Sequence, residues 1–169
     1  MTINMIVPLE VGIACRDLPR LRAFYQDVMG FQFVSEIVVP AAKAAPSALS
    51  ADGYTVVRLQ TPYGERVKLL APNTPPAPAA ESAATPAEYI LDKSNASYLT
   101  FIVDDIDAAI ATLLKAGSRF LTGKERVEAR PGVYLAFCED PEGNVLELVE
   151  YTDIEAYRPD LTDLKKGSN

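Results

Sequence analysis

Apolar and polar positions follow the same order twice along this chain: a strand, a helix and then three further strands. In the first copy, residues 8–15 alternate between the two classes, which is typical of a half-buried strand. Asp17 is suited to cap a helix over Leu18–Met29, and Gly30 is suited to end it. The strands that follow are predicted near 31–39, 54–61 and 65–71. The first copy therefore predicts a βαβββ unit.

The second copy repeats this order. A strand is predicted over 97–103, and Asp105 is suited to cap a helix over Ile106–Ala116 that ends at Gly117. The remaining strands are predicted near 119–127, 133–139 and 144–150. In each copy, one residue lies seven positions before the helix cap and another lies six positions after a turn proline. These four equivalent positions are Glu10 and Lys68 in the first copy, and Tyr98 and Glu147 in the second.

An internal repeat of this kind predicts an α+β fold made of tandem modules. The first module is predicted at 1–71, and the second at 97–151. Residues 72–96 are rich in alanine and proline, which is typical of a semi-rigid linker, and we expect this segment to wrap along a module surface. Residues 152–169 are predicted to form a polar C-terminal tail.

The composition of the chain disfavours several classes of function. Apolar residues make up 49% of the chain and charged residues 23%, which is ordinary for a globular protein. No run approaches the ~18 apolar residues of a membrane span. No basic flank precedes an apolar stretch at the N-terminus, so no secretory signal is predicted and a cytoplasmic location is expected. The net charge of −7 disfavours nucleic acid as a partner and mildly favours a cationic ligand.

The sequence contains no histidine. The commonest metal ligand and the usual proton shuttle at neutral pH are therefore both absent. Any catalysis must use carboxylate, ammonium, phenol or thiol groups. The two cysteines, Cys15 and Cys138, lie on predicted strands, and we expect them to be buried free thiols.

Two groups of motifs carry a family resemblance. They are Glu10-Val-Gly-Ile-Ala, Asp17-Leu, Phe24-Tyr25 and Gly30-Phe31 in the first copy, and Asp140-Pro-Glu-Gly-Asn-Val-Leu-Glu147-Leu in the second. The sequence resembles the vicinal oxygen chelate superfamily, which includes glyoxalases, bleomycin-resistance proteins and extradiol dioxygenases. The resemblance implies βαβββ modules whose mixed sheets form a cupped cleft with helices on the outer side. It also implies a cleft formed within one chain or across a homodimer.

The resemblance further implies a divalent metal in that cleft, held by side chains from the first and last strand of each module. At those positions Glu10 and Glu147 fit the family pattern, whereas Lys68 and Tyr98 depart from it. An ammonium has no lone pair to offer a metal, and a neutral phenol is a poor ligand. We therefore expect no cofactor; Glu10 and Glu147 would be the ligands if a divalent ion were bound. Lys68 is expected to take the electrostatic place of the metal between carboxylates that would otherwise repel.

Strand alternation adds neighbours to these four positions. The substrate-binding candidates expected to share the cleft face are Tyr54, Arg58, Gln60, Leu135 and Phe137. Other positions expected on that face include Gly12, Val56, Arg66, Leu70, Thr100 and Val149, whereas Val57 and Leu59 are expected in the core on the helix side.

Three functions fit this arrangement. The first is a metal-independent isomerase, epimerase or lyase that moves a proton on a small enolisable carbonyl compound. In it, Glu10 or Glu147 would be the base, and Lys68 and Tyr98 would donate to the enolate oxygen. The second is a ligand-sequestering protein that resembles the bleomycin-resistance proteins, and the third is a metalloenzyme with an atypical site of two glutamates. The charged cluster is also consistent with a structural ion-pair network.

Overall fold

Two βαβββ modules follow one another along the chain, as the repeated pattern predicts. A computed structural model describes residues 6–75, 89–92 and 96–161. The chain divides into two units, Met1–Asp92 and Lys93–Asn169. Each unit contains one four-stranded mixed sheet, so the α+β class and the tandem modules are confirmed.

The first unit forms its sheet from four strands and packs a helix against it. The strands are β1 (Glu10–Ala14), β2 (Gln32–Pro40), β3 (Gly53–Gln60) and β4 (Arg66–Pro72). They lie in the order β1-β4-β3-β2, with β1 parallel to β4 and the other pairs antiparallel. The helices are α1 (Leu18–Ala23), a π-helical segment (Phe24–Val28), the short α2 (Ala41–Ala44) and a 3-10 turn (Ile90–Asp92).

The second unit repeats this topology. Its strands are β5 (Leu99–Ile102), β6 (Val127–Arg130), β7 (Val133–Glu139) and β8 (Val145–Tyr151), in the order β5-β8-β7-β6. Its helices are α3 (Ile106–Lys115), α4 (Ile154–Tyr157) and a 3-10 turn (Pro159–Leu161). Tyr157 of α4 stacks on Tyr151 of β8, with 3.9 Å between the ring centroids. The predicted polar tail thus begins with a short helix.

Each sheet buries the face that its long helix covers. Val57, Leu59, Val67 and Leu69 are almost fully buried in the first unit, and Leu146, Leu148, Ala136 and Cys138 in the second. Val57 and Leu59 therefore belong to the helix-side core, as expected. Both cysteines are buried and outside any disulfide, as predicted.

Both helices begin where the sequence predicts, because aspartate caps them. The carboxylate of Asp17 accepts a hydrogen bond from the Arg20 amide, and that of Asp105 accepts one from the Ala108 amide. In the second unit, Glu150 of β8 also accepts from the amide of Ile106. A carboxylate at this end of a helix is stabilised by the unpaired amides and by the helix dipole.

Three predicted elements differ from the structure. The helix predicted over 18–29 is α-helical only to Ala23 and then widens into the π-helical segment. The strand predicted over 119–127 is wrong, because only Phe120 forms an isolated bridge there and β6 begins at Val127. Gly123 between them adopts a φ of +85°, which breaks the extended run. The strand predicted over 97–103 is shorter, at Leu99–Ile102.

The linker prediction falls largely outside the described residues, which omit 76–88 and 93–95. Within the ranges that are described, no helix is long and apolar enough to cross a membrane.

Candidate functional site

The first sheet carries a group of charged side chains on one face, away from its buried core. We call this group the polar face; its residues are Glu10, Arg58, Gln60, Arg66 and Lys68. Strand register brings them together: Arg66 lies opposite Glu10 on one side and Gln60 on the other, and Lys68 lies opposite Arg58. Since alternate residues of a strand share a face, positions 66 and 68 of β4 and 58 and 60 of β3 point the same way.

Glu10 is the only carboxylate on the polar face, and two cations reach it. Its Oε2 lies 3.7 Å from Nζ of Lys68, and its Oε1 lies 3.6 Å from Nη1 of Arg66. The three side chains are 32%, 33% and 36% exposed, respectively. The sequence prediction that Glu10 and Lys68 share a face is therefore confirmed.

The two guanidinium groups of the polar face each donate to a neutral oxygen. Arg66 Nε donates to Oε1 of Gln60 at 2.7 Å, and Arg58 Nη1 donates to the Ser35 hydroxyl at 3.4 Å. Arg58 forms no salt bridge with any residue that the structure describes. Gln60 thus orients a guanidinium in the described structure, where the sequence suggested a substrate contact.

The second sheet places four residues that were expected on the cleft face next to one another. Glu147 of β8 lies opposite Thr100 of β5 and Phe137 of β7. The Thr100 hydroxyl donates to Oε2 of Glu147 at 2.6 Å. The ring of Tyr98, which is 43% exposed, meets the ring of Phe137 edge-on with 5.2 Å between centroids. This face combines one carboxylate with an aromatic pair.

The other predicted positions flank these groups. Tyr54 is half-buried opposite Val39 and Pro72, and Leu135 is half-buried opposite Val127 and Val149. Val56 and Val149 are buried, because their cross-strand neighbours on the same face are apolar. These neighbours are Ile37 and Leu70 for Val56, and Leu135 and Ile102 for Val149. The face of each sheet that points away from its helix is therefore polar at one end and apolar at the other.

Sequence reasoning underestimated two residues. Arg66 was expected only as a neighbour on the face, but it is the second cation on Glu10, and Thr100 is the hydrogen-bond donor to Glu147. Strand alternation places both residues on the correct face. Their partners depend on register, which the repeat does not fix.

Two surface grooves lie elsewhere, on the helix sides of the sheets. One, of about 310 Å³, lies between α1 and the edge strand β2, where Arg22 pairs with Glu36 at 2.9 Å. The other, of about 450 Å³, lies beside α3, where Arg126 pairs with Asp107 at 3.2 Å. Neither groove contains a predicted site residue.

Comparison with known proteins decides the family. Residues 3–148 match the family model described as Glyoxalase/Bleomycin resistance protein/Dioxygenase superfamily. The chain belongs to this superfamily. It is 30% identical to the uncharacterized protein YaeR of Escherichia coli (strain K12) over 142 residues, which are 83% of this chain and 93% of that protein.

Solved structures of the superfamily share the fold. A glyoxalase family protein from Bacillus cereus superposes with a TM-score of 0.71 at 22% identity, covering 89% of this chain and 98% of that one. The trypanothione-dependent glyoxalase I of Leishmania major superposes with a TM-score of 0.60 at 21% identity, covering 96% and 99%. At these identities the likeness concerns the fold alone.

The divalent metal that the superfamily implies does not fit the residues present. Lys68 and Tyr98 stand at two of the four ligand positions, and neither is a suitable ligand in its neutral-pH form. Glu10 already faces an ammonium and a guanidinium. Within the described ranges, no group of three or more aspartate, glutamate or cysteine side chains is placed to hold a metal ion.

Proposed function

We propose that this superfamily member is a metal-independent enzyme that transfers a proton on a small enolisable carbonyl compound, as an isomerase, epimerase or lyase. The observation that supports this most is the Lys68 ammonium, 3.7 Å from the Glu10 carboxylate at the strand positions where the superfamily implies metal ligands. A fixed cation there can stabilise an oxyanion that forms during reaction.

The proposed reaction begins when a carboxylate removes a proton from the carbon next to a carbonyl group. The electron pair of the broken C–H bond forms a carbon–carbon double bond, and the carbonyl oxygen becomes an enolate oxygen. Return of the proton to another position or face gives an isomer or epimer. Departure of a group from the adjacent carbon, with its electron pair, gives a lyase product.

Four residues have roles in this proposal. Glu10 and Glu147 are the candidate bases, and Lys68 and Tyr98 are the candidate donors to the enolate oxygen. Glu147 is well suited to accept a proton: its described partner is a hydroxyl, and it forms no salt bridge within the described ranges. Glu10 is held by two cations and is better suited to position Lys68.

A second candidate function is sequestration of a ligand without turnover. The face that carries Glu147 favours it, because a carboxylate next to the aromatic pair of Tyr98 and Phe137 suits a cation with an apolar body. Net acidity of the chain supports the same kind of ligand.

Solvent deuterium exchange distinguishes the two functions. Small 2-oxo acids, hydroxyketones and aldehydes are incubated with the protein in D2O, and loss of the α-proton signal is followed by NMR. We expect exchange with the wild type and a loss of about 10²–10³-fold in the rate for Lys68→Met, the range seen when one oxyanion donor is removed. Glu147→Gln is expected to lose about 10²-fold or more.

A matched control removes a lysine elsewhere. Lys115→Met changes the charge equally, at the exposed end of α3, and should leave exchange unchanged. Exchange that survives in Lys68→Met would refute the role of Lys68. Tight stoichiometric binding of a cationic ligand, with no exchange of any compound, would favour sequestration.

A further inference from the structure

The polar face of the first sheet carries an excess of positive charge. Three cations, Arg58, Arg66 and Lys68, share it with one carboxylate, Glu10, whereas the whole chain has a net charge of −7. The other acidic residue on these strands, Glu36, lies opposite Val57 on the helix side and pairs with Arg22. The local charge therefore has the opposite sign to that of the protein.

Arg58 and Lys68 oppose each other directly across β3 and β4. Like charges at directly opposed positions destabilise a sheet. Lys68 has Glu10 as a partner, but Arg58 has only the long hydrogen bond to Ser35 among the described residues. The arrangement thus leaves the half-buried guanidinium of Arg58, on the strand beside that of Lys68, without a counter-charge in the described structure.

Neutral side chains accept the described hydrogen bonds of the two guanidinium groups on the polar face, Arg58 and Arg66. Ser35 and Gln60 are neutral, and each accepts one N–H of a guanidinium. No other described residue accepts from Arg58, so its remaining N–H groups can donate to a ligand. Three cations and one carboxylate leave the polar face with two excess positive charges, and an oxyanion can accept from a guanidinium while balancing that charge.

We propose that the polar face binds an oxyanionic group of the ligand that carries about two negative charges, such as a phosphate monoester or a dicarboxylate. This ligand differs from the cationic one that the net charge favours, because the charge of the polar face is opposite in sign to that of the whole chain. The inference rests on the proposed function only where it assigns the oxyanionic group to the substrate of the proposed enzyme. Binding itself does not require turnover.

Titration with two probes tests the inference. Inorganic phosphate and malonate are added at constant ionic strength, and the 1H–15N signals of the arginine Nε–H groups are followed. We expect saturable shifts at Arg58 and Arg66, with acetate binding more weakly. The probe that binds more tightly identifies the oxyanion as phosphate or dicarboxylate.

Matched variants locate the binding. Arg58→Gln should weaken the tighter probe about tenfold or more. Lys43→Gln, on the exposed surface of α2 in the same unit, removes one charge and should leave affinity unchanged. Equal weakening in both variants, or no saturable shift in the wild type, would overturn the proposal.

Different results would refute the proposed enzyme and the proposed oxyanion site. Saturable phosphate or malonate binding without any deuterium exchange would refute the enzyme and keep the oxyanion site. Exchange that depends on Lys68, without binding of either probe, would keep the enzyme and refute the oxyanion site.

Discussion

Lys68 contributes little to folding in its observed environment. Its contact with Glu10 is a partly exposed ion pair, and such pairs stabilise a protein by only ~0–1 kcal/mol. Its cross-strand neighbour Arg58 repels it. A structural network would place a second carboxylate near Arg58, and the described residues offer none there. A contribution to stability therefore does not by itself account for the charged cluster.

Burial raises the pKa of the Cys138 thiol from 9.0 to about 11, with smaller contributions from Asp140 and Glu139. We expect this thiol to resist Ellman's reagent at pH 8 in the native protein and to react once the protein is unfolded in urea. Because the native pKa is raised, the thiol's contribution to stability is complete below about pH 9 and is lost as the pH rises towards about 11.

The complete loss corresponds to about 3 kcal/mol, since the shift is about two pKa units and one unit is about 1.4 kcal/mol. Urea denaturation at pH 8 and pH 10.5, for the wild type and Cys138→Ala, measures it. The wild type should lose more stability than the variant over this range. Fast labelling of native Cys138 at pH 8 would contradict the burial on which the prediction depends.

Individual residues were predictable where a local rule applies. The two helix caps and the buried thiols follow from short-range pattern, whereas the shared face of Glu10 and Lys68 was implied by the repeat together with the family resemblance. The partners of Arg66 and Glu147 follow from neither, because hydrogen-bond and ion-pair partners depend on strand register and on rotamers. Register is set by bulges such as the one between Phe33 and Ser35, which no periodicity reveals.

The hairpin of β2 and β3 fixes the position of Arg58, and one glycine makes it possible. Gly53 has a φ of +98°, and a Cβ built there would lie 2.6 Å from the carbonyl oxygen of Val39. The backbone of Val39 cannot move aside without a large cost in free energy. Gly53→Ala therefore combines backbone strain at position 53 with a steric clash. We expect it to lower the free energy of unfolding by about 2 kcal/mol or more.

Gly30→Ala is the matched control. Gly30 also has a positive φ, +76°, but a Cβ there meets no atom within 4 Å. Gly30→Ala should lower the free energy of unfolding only by the cost of placing alanine in the left-handed conformation, about 1 kcal/mol. Urea denaturation compares the two variants. Equal losses would show that the contact with Val39 is unimportant.

Elements differ in how far periodicity predicts them. The strands β3, β4, β7 and β8 were placed within one or two residues, because each has alternating or continuous apolar positions and a clear turn. The π-helical segment was missed, since Leu21, Phe24, Tyr25 and Val28 fit an α-helical stripe equally well. The failed strand at 119–127 shows how one glycine ends an extended run.

At the scale of the whole molecule, the repeat accounts for the fold, and the residues that depart from the superfamily's ligand pattern are the basis of the proposed function. Two modules with one topology were predictable, because their landmarks recur at equal spacing. The superfamily's fold is shared with many proteins, and fold does not fix activity. Lys68 and Tyr98 are positions where this chain departs from the metal ligands that the superfamily implies. They are the reason for proposing metal-free chemistry. A homodimer stays a prediction.

Metal content measured by inductively coupled plasma mass spectrometry tests the central claim most directly. The protein is purified without chelators, incubated in turn with nickel, zinc, manganese and iron(II), and desalted. Lys68→Glu is the comparison, because it places a second carboxylate next to Glu10. We predict that the wild type retains no stoichiometric ion and that the variant gains metal affinity. A stoichiometric ion in the wild type would contradict the account and return the protein to metal-assisted chemistry.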